Sequence, residues 1–235
     1  KKVYLVDDPF ILDDKVPPRY FRGRIIADRE SFFNPGRIVS HKDKLKFILR
    51  SGKTLTVFEQ TVLSDALKEA KSKIDSILPG TFEFSSEGEY YIQDGLKLRI
   101  SNLATGSKMF SIIKMLLNKG EIDNTTMLIL DEPEAHLHPK WQNAFAEIIV
   151  LLVKELNVNI LLTTHSPNFM LALDAYMRKY EIAEQTNFYQ TDVLEDGFVQ
   201  YHCVNDDIGI IYQDFLRYLS EVKMLRNKYL TDIEE

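Results

Sequence analysis

The fold is decided by the stretch MLILDEPEAHLHP, residues 127–139. Its first four residues are apolar, which predicts a strand buried in a parallel sheet. Two adjacent carboxylates, Asp131 and Glu132, follow where that strand leaves the sheet. A buried strand fixes the backbone, so Asp131 is placed to hold a magnesium ion and Glu132, pointing the other way, to polarise a water molecule. Taken alone, these residues are equally compatible with an ordinary strand end closed by an Asp-Glu-Pro turn.

A further group with useful chemistry lies one strand further along the chain. A second apolar strand, residues 158–162, is followed by TTHSP, residues 163–167, and a helix with one apolar face separates the two strands. This order of elements predicts an α/β fold with a parallel sheet covered on both faces. Adjacent parallel strands end at the same edge, so we expect His165 to lie beside Asp131 and Glu132, where it can contact a γ-phosphate or position water. An isolated histidine at a strand end is more often solvated or a cap, and here the paired placement favours function.

A third segment, NLATGSK at residues 102–108, precedes a predicted helix at residues 110–117. It follows three β-prone runs within residues 81–100, whose Glu-Gly and Asp-Gly pairs predict an antiparallel meander. A helix N-terminus offers free backbone amides to an anion. Alone, the segment is best interpreted as an ordinary helix cap, and only its order relative to the other two segments indicates more.

Taken in their order along the chain, residues 102–108, 131–139 and 163–167 resemble the motifs of the ABC-class ATPases. Residues 131–139 match the string Asp-Glu-Pro-Glu-x-His-Leu-His-Pro of the stand-alone bacterial group throughout. The resemblance implies the head of a P-loop NTPase, with a mostly parallel sheet flanked by helices and an antiparallel meander before the signature motif. It implies Mg²⁺ and ATP as cofactors, with Asp131 as the metal ligand and Glu132 and His165 as the catalytic residues. The signature motif and the D-loop would supply further ATP-binding residues: Leu103, Ala104, Thr105, Gly106, Ser107, Lys108, Glu134, His136 and His138.

Two positions depart from the family pattern. Ala104 stands where the signature motif usually has a serine that touches the γ-phosphate bound by the other subunit. Thr105 or Ser107 must therefore substitute, or that contact is lost. His138 stands where the D-loops of transporters carry aspartate, as expected for the stand-alone group.

The sequence contains no recognisable phosphate-binding P-loop beside these motifs. Such a loop needs Gly-x-x-x-x-Gly-Lys-[Ser/Thr] between a strand and a helix, because its successive amides wrap the β-phosphate. The only candidate is Gly52-Lys53-Thr54, whose first glycine would fall at the bulky Phe47, and the next predicted helix begins later, at the capping residue Thr56. We therefore expect the P-loop to lie upstream of Lys1 and the isolated chain to be inactive. No Q-loop glutamine is assigned.

The resemblance implies an ATPase that closes head to head as a homodimer, through the signature motif and the D-loop, and uses hydrolysis to drive a conformational switch. The head would span the whole chain, with its irregular, helical and meander part at residues 1–100 and its motif-bearing part at residues 101–235. The resemblance reaches bacterial anti-phage ATPases of the Septu and overcoming-lysogenization-defect types, which implies antiviral defence with a partner nuclease. The alternative is a non-catalytic module that uses this fold to scaffold a partner nuclease or nucleic acid. A fused Toprim nuclease finds little support, since no separated Glu and Asp-x-Asp set follows His165.

Composition sets the remaining expectations. The chain of 235 residues carries a formal net charge of −6, so its surface as a whole does not favour nucleic acid. A local basic patch at residues 15–24 or 41–53 leaves nucleic-acid binding open. The single cysteine, Cys203, excludes an internal disulfide and agrees with a cytoplasmic location. The most apolar stretch, residues 148–162, is interrupted by charged and amide side chains, so we expect no membrane span.

Overall fold

The computed structural model describes residues 2–13, 40–50, 55, 67–85 and 87–231. Its contacts divide the chain into two compact units, Lys1–Tyr176 and Met177–Glu235. The strands are β1 (Lys2–Val6), β2 (Thr81–Ser85), β3 (Gly88–Gln93), β4 (Leu96–Arg99), β5 (Thr126–Asp131), β6 (Asn159–Thr163), β7 (Tyr189–Val193) and β8 (Val199–Cys203). The helices are α1 (His41–Arg50), α2 (Lys68–Ile77), α3 (Thr105–Asn118), α4 (Pro139–Leu156), α5 (Pro167–Lys179) and α6 (Gly209–Thr231).

The larger unit is built on a parallel sheet with the strand order β1-β5-β6. The central strand β5 pairs with β1 up to Leu130 opposite Val6, and with β6 up to Asp131 opposite Thr163. Helices flank this sheet, which confirms the predicted α/β class with a parallel sheet. The register brings the polar ends of β5 and β6 to the same edge, as adjacent parallel strands require.

The two faces of this sheet differ in exposure. On one face, Leu128 and Leu130 are fully buried. On the other, Val3, Met127 and Leu161 remain 45%, 37% and 51% exposed. The expected cover on both faces is therefore incomplete in the part of the chain that the structure describes, where β6 also forms an outer edge. An apolar strand sequence predicts that the strand is buried, but it does not identify the segment that covers it.

Aromatic side chains fasten three helices of the larger unit together. Phe110 of α3, Phe145 of α4 and Phe169 of α5 are almost fully buried. The ring centroids of Phe110 and Phe145 lie 5.2 Å apart, and those of Phe145 and Phe169 lie 6.2 Å apart. Such pairs contribute about 0.5–1.5 kcal/mol beyond the burial of their area. They fix α4 and α5, the helices that begin soon after the polar ends of β5 and β6.

The antiparallel meander predicted within residues 81–100 is present, with the strand order β2-β3-β4. The helix predicted before it is described as α2, while its proposed capping residue Thr56 lies outside the described residues. The first turn of α2 is capped by a side chain of α4. The carboxylate of Glu155 accepts hydrogen bonds from the backbone N–H groups of Glu69 and Ala70, at 2.9 and 3.1 Å. This contact compensates two donors that a helix N-terminus leaves unpaired.

The smaller unit contains a β-hairpin and a long helix. The hairpin strands β7 and β8 pair antiparallel, with Thr191 opposite Tyr201. The helix α6 has exposed side chains from residue 216 to residue 229. None of the helices in the described ranges is both long enough and apolar enough to span a bilayer.

Candidate active site

The candidate site begins at the shared edge of β5 and β6. Thr163 Oγ1 donates a hydrogen bond to Asp131 Oδ1. The backbone N–H of Glu132 donates to the Thr163 carbonyl oxygen, with an N···O distance of 3.2 Å. The apolar strands hold these residues in register, so the polar bonds form between neighbouring strand ends. They fix the Asp131 carboxylate at the edge of the sheet.

Glu132 has a backbone conformation that is unusual for its residue type. Its φ angle is 42°, in the left-handed region, which costs a residue with a side chain about 1–2 kcal/mol. The Oε1 atom of Glu132 lies 3.2 Å from Nε2 of His165. The two side chains are 45% and 88% exposed, so both are within reach of a ligand. The structure thus brings together the two residues that the sequence predicted to be catalytic.

Asp131, Glu132, Thr163 and His165 form what we call the strand-end cluster. The Asp131 carboxylate and the Thr163 hydroxyl offer oxygen donors, the ligand type that magnesium prefers. Within the described ranges, no group of three or more His, Cys, Asp or Glu side chains could hold a metal ion alone. This donor set fits magnesium, which is usually bound by one or two carboxylates and keeps water and substrate phosphates as its other ligands.

A buried carboxylate anchors the loop at residues 132–138. Glu134 is 3% exposed, and its Oε1 accepts a hydrogen bond from Thr164 Oγ1. Its Oε2 is buried and makes no hydrogen bond to any part of the chain that the structure describes. An unpaired buried polar atom costs about 1–3 kcal/mol. Glu134, a predicted ATP-binding residue, is therefore directed into the protein toward the segment that carries His165.

A second set of hydrogen bonds starts on the other side of His165. Ser166 Oγ donates to Gln142 Oε1 at 2.9 Å, and Gln142 Nε2 donates to the Leu137 carbonyl oxygen at 3.1 Å. Both neighbours of His165 in sequence, Thr164 and Ser166, are thus tied to the loop after β5 or to the first turn of α4. Sequence reasoning missed Gln142 and assigned no role to these hydroxyls, although hydroxyl residues on both sides of the histidine were a signal.

The predicted signature segment, residues 103–108, spans the start of α3. Leu103 and Lys108 are buried, and Lys108 Nζ lies 2.6 Å from Asp13 Oδ1. Ala104 is the exposed N-cap of α3 and makes no side-chain capping bond. The remaining members of the segment are half-buried: Thr105, Gly106 and Ser107. The ammonium group of Lys108 is therefore paired inside the protein, while the first turn of the helix is partly accessible.

The start of α3 packs against the loop at residues 132–138. A Cβ atom on Gly106 would lie 2.9 Å from Leu137 Cδ2 and 3.4 Å from the carbonyl oxygen of His136, so a glycine permits the close approach. The imidazole of His136 also contacts the ring of Phe10 edge to face, with centroids 5.8 Å apart. The segments predicted as signature motif and D-loop are thus in direct contact.

His138 has a structural role in this arrangement. It is the N-cap of α4, and its Nδ1 atom accepts a hydrogen bond from the backbone N–H of Lys140 at 3.3 Å. Its predicted contact with ATP stays a prediction.

Besides the cap at Thr56, two sequence predictions fall on residues that the structure does not describe. They are the candidate P-loop, Gly52-Lys53-Thr54, and the basic residues 15–24. Of the second basic run, residues 41–50 form α1.

The parallel sheet with polar residues at its edge agrees with the class that a family match gives, an AAA-type ATPase domain. Residues 15–172 match the family described as "AAA domain, putative AbiEii toxin, Type IV TA system". The match covers more than half of the chain, so the chain belongs to this family. Membership in a family of ATPase domains implies ATP as the ligand.

Solved structures similar to the chain include three SMC heads. The SMC head domain from Thermotoga maritima is 15% identical, with 68% of this chain and 51% of that chain covered and a TM-score of 0.42. The SMC head bound to the C-winged helix domain of ScpA is 16% identical, with 88% and 56% covered and a TM-score of 0.49. The SMC head with an extended coiled coil, bound to the C-terminal domain of ScpA from Pyrococcus furiosus, is 14% identical, with 85% and 46% covered and a TM-score of 0.43. The chain spans about half the length of these heads.

Proposed function

We propose that the chain is the hydrolytic and dimerisation portion of an ABC-class ATPase that hydrolyses ATP in a head-to-head dimer. The observation that supports this most directly is the 3.2 Å distance between His165 Nε2 and Glu132 Oε1, beside Asp131 at the shared strand edge. Catalysis of phosphoryl transfer rests almost entirely on positioning and electrostatic stabilisation. The three side chains offer both at one place.

Each member of the strand-end cluster has a distinct role in this proposal. Glu132 orients and polarises the attacking water, because its carboxylate lies at the edge of the sheet beside His165. His165 turns its Nε2 from Glu132 to an oxygen of the γ-phosphate and stabilises the charge there. Asp131, with the help of Thr163, would hold magnesium, which would supply neutralisation of phosphate charge.

The dimer contact uses the start of α3 together with the loop at residues 132–138. The contact of Gly106 with this loop supports the proposal, because it makes the two segments one continuous surface. In a head-to-head dimer, the first amides of α3 would face the phosphates held by the other subunit, where a helix N-terminus favours negative charge. Hydrolysis would then release this contact and reset the switch.

We place the P-loop upstream of Lys1, which predicts the affinity of the chain alone. A P-loop contributes several charge-assisted hydrogen bonds at about 1.5–3 kcal/mol each, so losing two of them weakens binding by roughly 100-fold or more. Calorimetry with magnesium and ATP should therefore find much weaker binding to the 235-residue chain than to a protein that includes the upstream segment. Micromolar affinity of the chain alone would show that Gly52-Lys53-Thr54, or another of its loops, cradles phosphate.

Two variants of the complete protein test the hydrolytic assignment. Glu132→Gln keeps the volume and a carbonyl acceptor but loses the charge that polarises water, so turnover should fall by roughly 10²–10⁴-fold while magnesium–ATP binding is retained. The closed dimer should then accumulate. Asp131→Asn removes a carboxylate that holds magnesium, so binding itself should weaken.

The measurements are ATP turnover and nucleotide binding on the same preparations. Glu195→Gln is the matched control, because Glu195 is an exposed carboxylate in the turn between β7 and β8. Wild-type turnover by Glu132→Gln, or loss of nucleotide as complete as in Asp131→Asn, would contradict the role of Glu132. A non-catalytic scaffold for a nuclease or nucleic acid would be favoured if the unsubstituted complete protein itself turned over no ATP.

The biological context forms a further part of the proposal. The resemblance to the Septu and overcoming-lysogenization-defect types supports a cytoplasmic role in bacterial anti-phage defence, with a partner nuclease. This support is an analogy from related sites on the same fold. Loss of phage resistance in cells that carry Glu132→Gln would be the corresponding observation.

A further inference from the structure

The helix α6 carries an exposed apolar stripe with heptad spacing. Its members follow one another in alternating steps of three and four residues: Phe215, Tyr218, Val222, Leu225 and Tyr229. The last four side chains are 57%, 63%, 58% and 60% exposed. This alternation matches the a and d positions of a coiled coil, and Leu216, Leu219 and Met224 are further exposed apolar side chains of α6 that lie outside those positions.

We propose that α6 pairs with α6 of a second copy of this chain, as a parallel two-stranded coiled coil. In heptad terms, Phe215, Val222 and Tyr229 occupy a positions, and Tyr218 and Leu225 occupy d positions. A β-branched residue at a and leucine at d, as at Val222 and Leu225, favour two strands. The stripe needs no nucleotide to pair, so this contact goes beyond the proposed head-to-head dimer.

The charges beside the stripe select the orientation of the pair. Glu221 occupies a g position and Arg226 the following e position, and both are exposed. In a parallel pair in register, each g residue faces the next e residue of the other helix, so Glu221 and Arg226 form two symmetric ion pairs. An antiparallel pair would separate them, because g positions then face g positions.

The f positions of the helix, directly opposite the seam, are polar. Gln213 and Ser220 occupy f positions, opposite the seam, and are exposed polar side chains. Residues 216–229 are exposed along their whole length, so within the described residues the smaller unit leaves the seam open to a second helix. A second copy supplies the same seam and the complementary charges at once.

Cysteine cross-linking tests the pairing directly. The background variant is Cys203→Ser, which removes the exposed native cysteine. Val222→Cys then places two thiols face to face at an a position, where the separation suits a disulfide. Mild oxidation of the whole chain without nucleotide should give a covalent dimer, at least about tenfold more than Ser220→Cys gives on the outer side. Equal cross-linking at the two positions, or none at either, would overturn the proposal.

A charge exchange tests the parallel orientation. Glu221→Arg and Arg226→Glu should each weaken the dimer, by about tenfold in dissociation constant, and the double variant should restore it. Sedimentation equilibrium without nucleotide measures the constants, with Ser220→Arg as the control on the outer side. Failure of the double variant to restore the dimer, or a wild-type chain that stays monomeric, would contradict a parallel pair. Asp131→Asn should dimerise normally through α6, because this pairing needs no nucleotide. The dissociation constant measured by sedimentation therefore does not depend on whether the ATPase proposal holds.

Discussion

The strand-end cluster and the start of α3 are held in place by different forces. Hydrogen bonds across β5 and β6 fix the cluster, and part-buried hydrogen bonds through Gln142 and Glu134 support the segment of His165. The start of α3 is held by packing, with Gly106 against the neighbouring loop and with no side-chain cap at Ala104. Substitutions in the cluster should therefore change the chemistry more than the stability. Substitutions at the start of α3 should change the stability more than the chemistry.

The largest expected effect tests the cluster. His165→Ala should reduce single-turnover ATP hydrolysis of the complete protein by roughly 10²–10⁴-fold, because it removes a group that contacts the reacting phosphate. The free energy of unfolding should change by no more than about 0.5 kcal/mol, since the side chain is 88% exposed. His202→Ala, at an exposed histidine of β8, is the control. An equal loss in both variants, or a large loss of stability in His165→Ala, would break the comparison.

A smaller effect is expected from the support behind the cluster. Gln142→Leu keeps the shape of the side chain but removes its bonds to Ser166 and to the Leu137 carbonyl. We expect turnover to fall by about tenfold, as is typical of groups that orient a catalytic residue from behind. Magnesium–ATP affinity should stay unchanged, which separates positioning from general damage. Gln200→Leu, on the exposed hairpin, is the control, and a parallel loss of binding and turnover would indicate a purely structural role.

The smallest effect concerns the start of α3. Ala104→Ser supplies an N-cap hydroxyl to a helix that lacks one, so the free energy of unfolding should rise by about 1 kcal/mol. Urea denaturation measures the change. Ala135→Ser is the matched control, because Ala135 is exposed and does not cap a helix. If both variants gave the same free energy, the cap would not be the cause.

The elements of the fold were largely predictable, while their assembly was predictable only in part. The apolar runs at β5 and β6, with a helix between them, already indicate neighbouring parallel strands. The pairing of β1 with β5 was not predicted, because Val6 and Leu130 are far apart in sequence and a parallel pair leaves no local turn signal. The open face at Val3 and Leu161 was missed for a related reason, since periodicity does not identify the covering segment.

The site shows the same limit at the level of side chains. Glu132 and His165 were predicted to meet because sheet geometry alone places them at one edge. The inward direction of Glu134 and the ion pair of Lys108 with Asp13 depend on the tertiary fold, and their residue types gave no indication of either. Gln142 was missed because its hydrogen bonds to Ser166 and to the Leu137 carbonyl oxygen also depend on the tertiary fold.

The left-handed backbone of Glu132 means that stability and catalytic turnover favour different residues at position 132. Glycine or asparagine accepts a φ of 42° more readily, so either should relieve about 1 kcal/mol of strain. A library screened only for heat resistance would therefore enrich these residues at position 132 and discard the carboxylate. Retention of glutamate at position 132 would indicate that ATP turnover, and not thermal stability alone, was under selection.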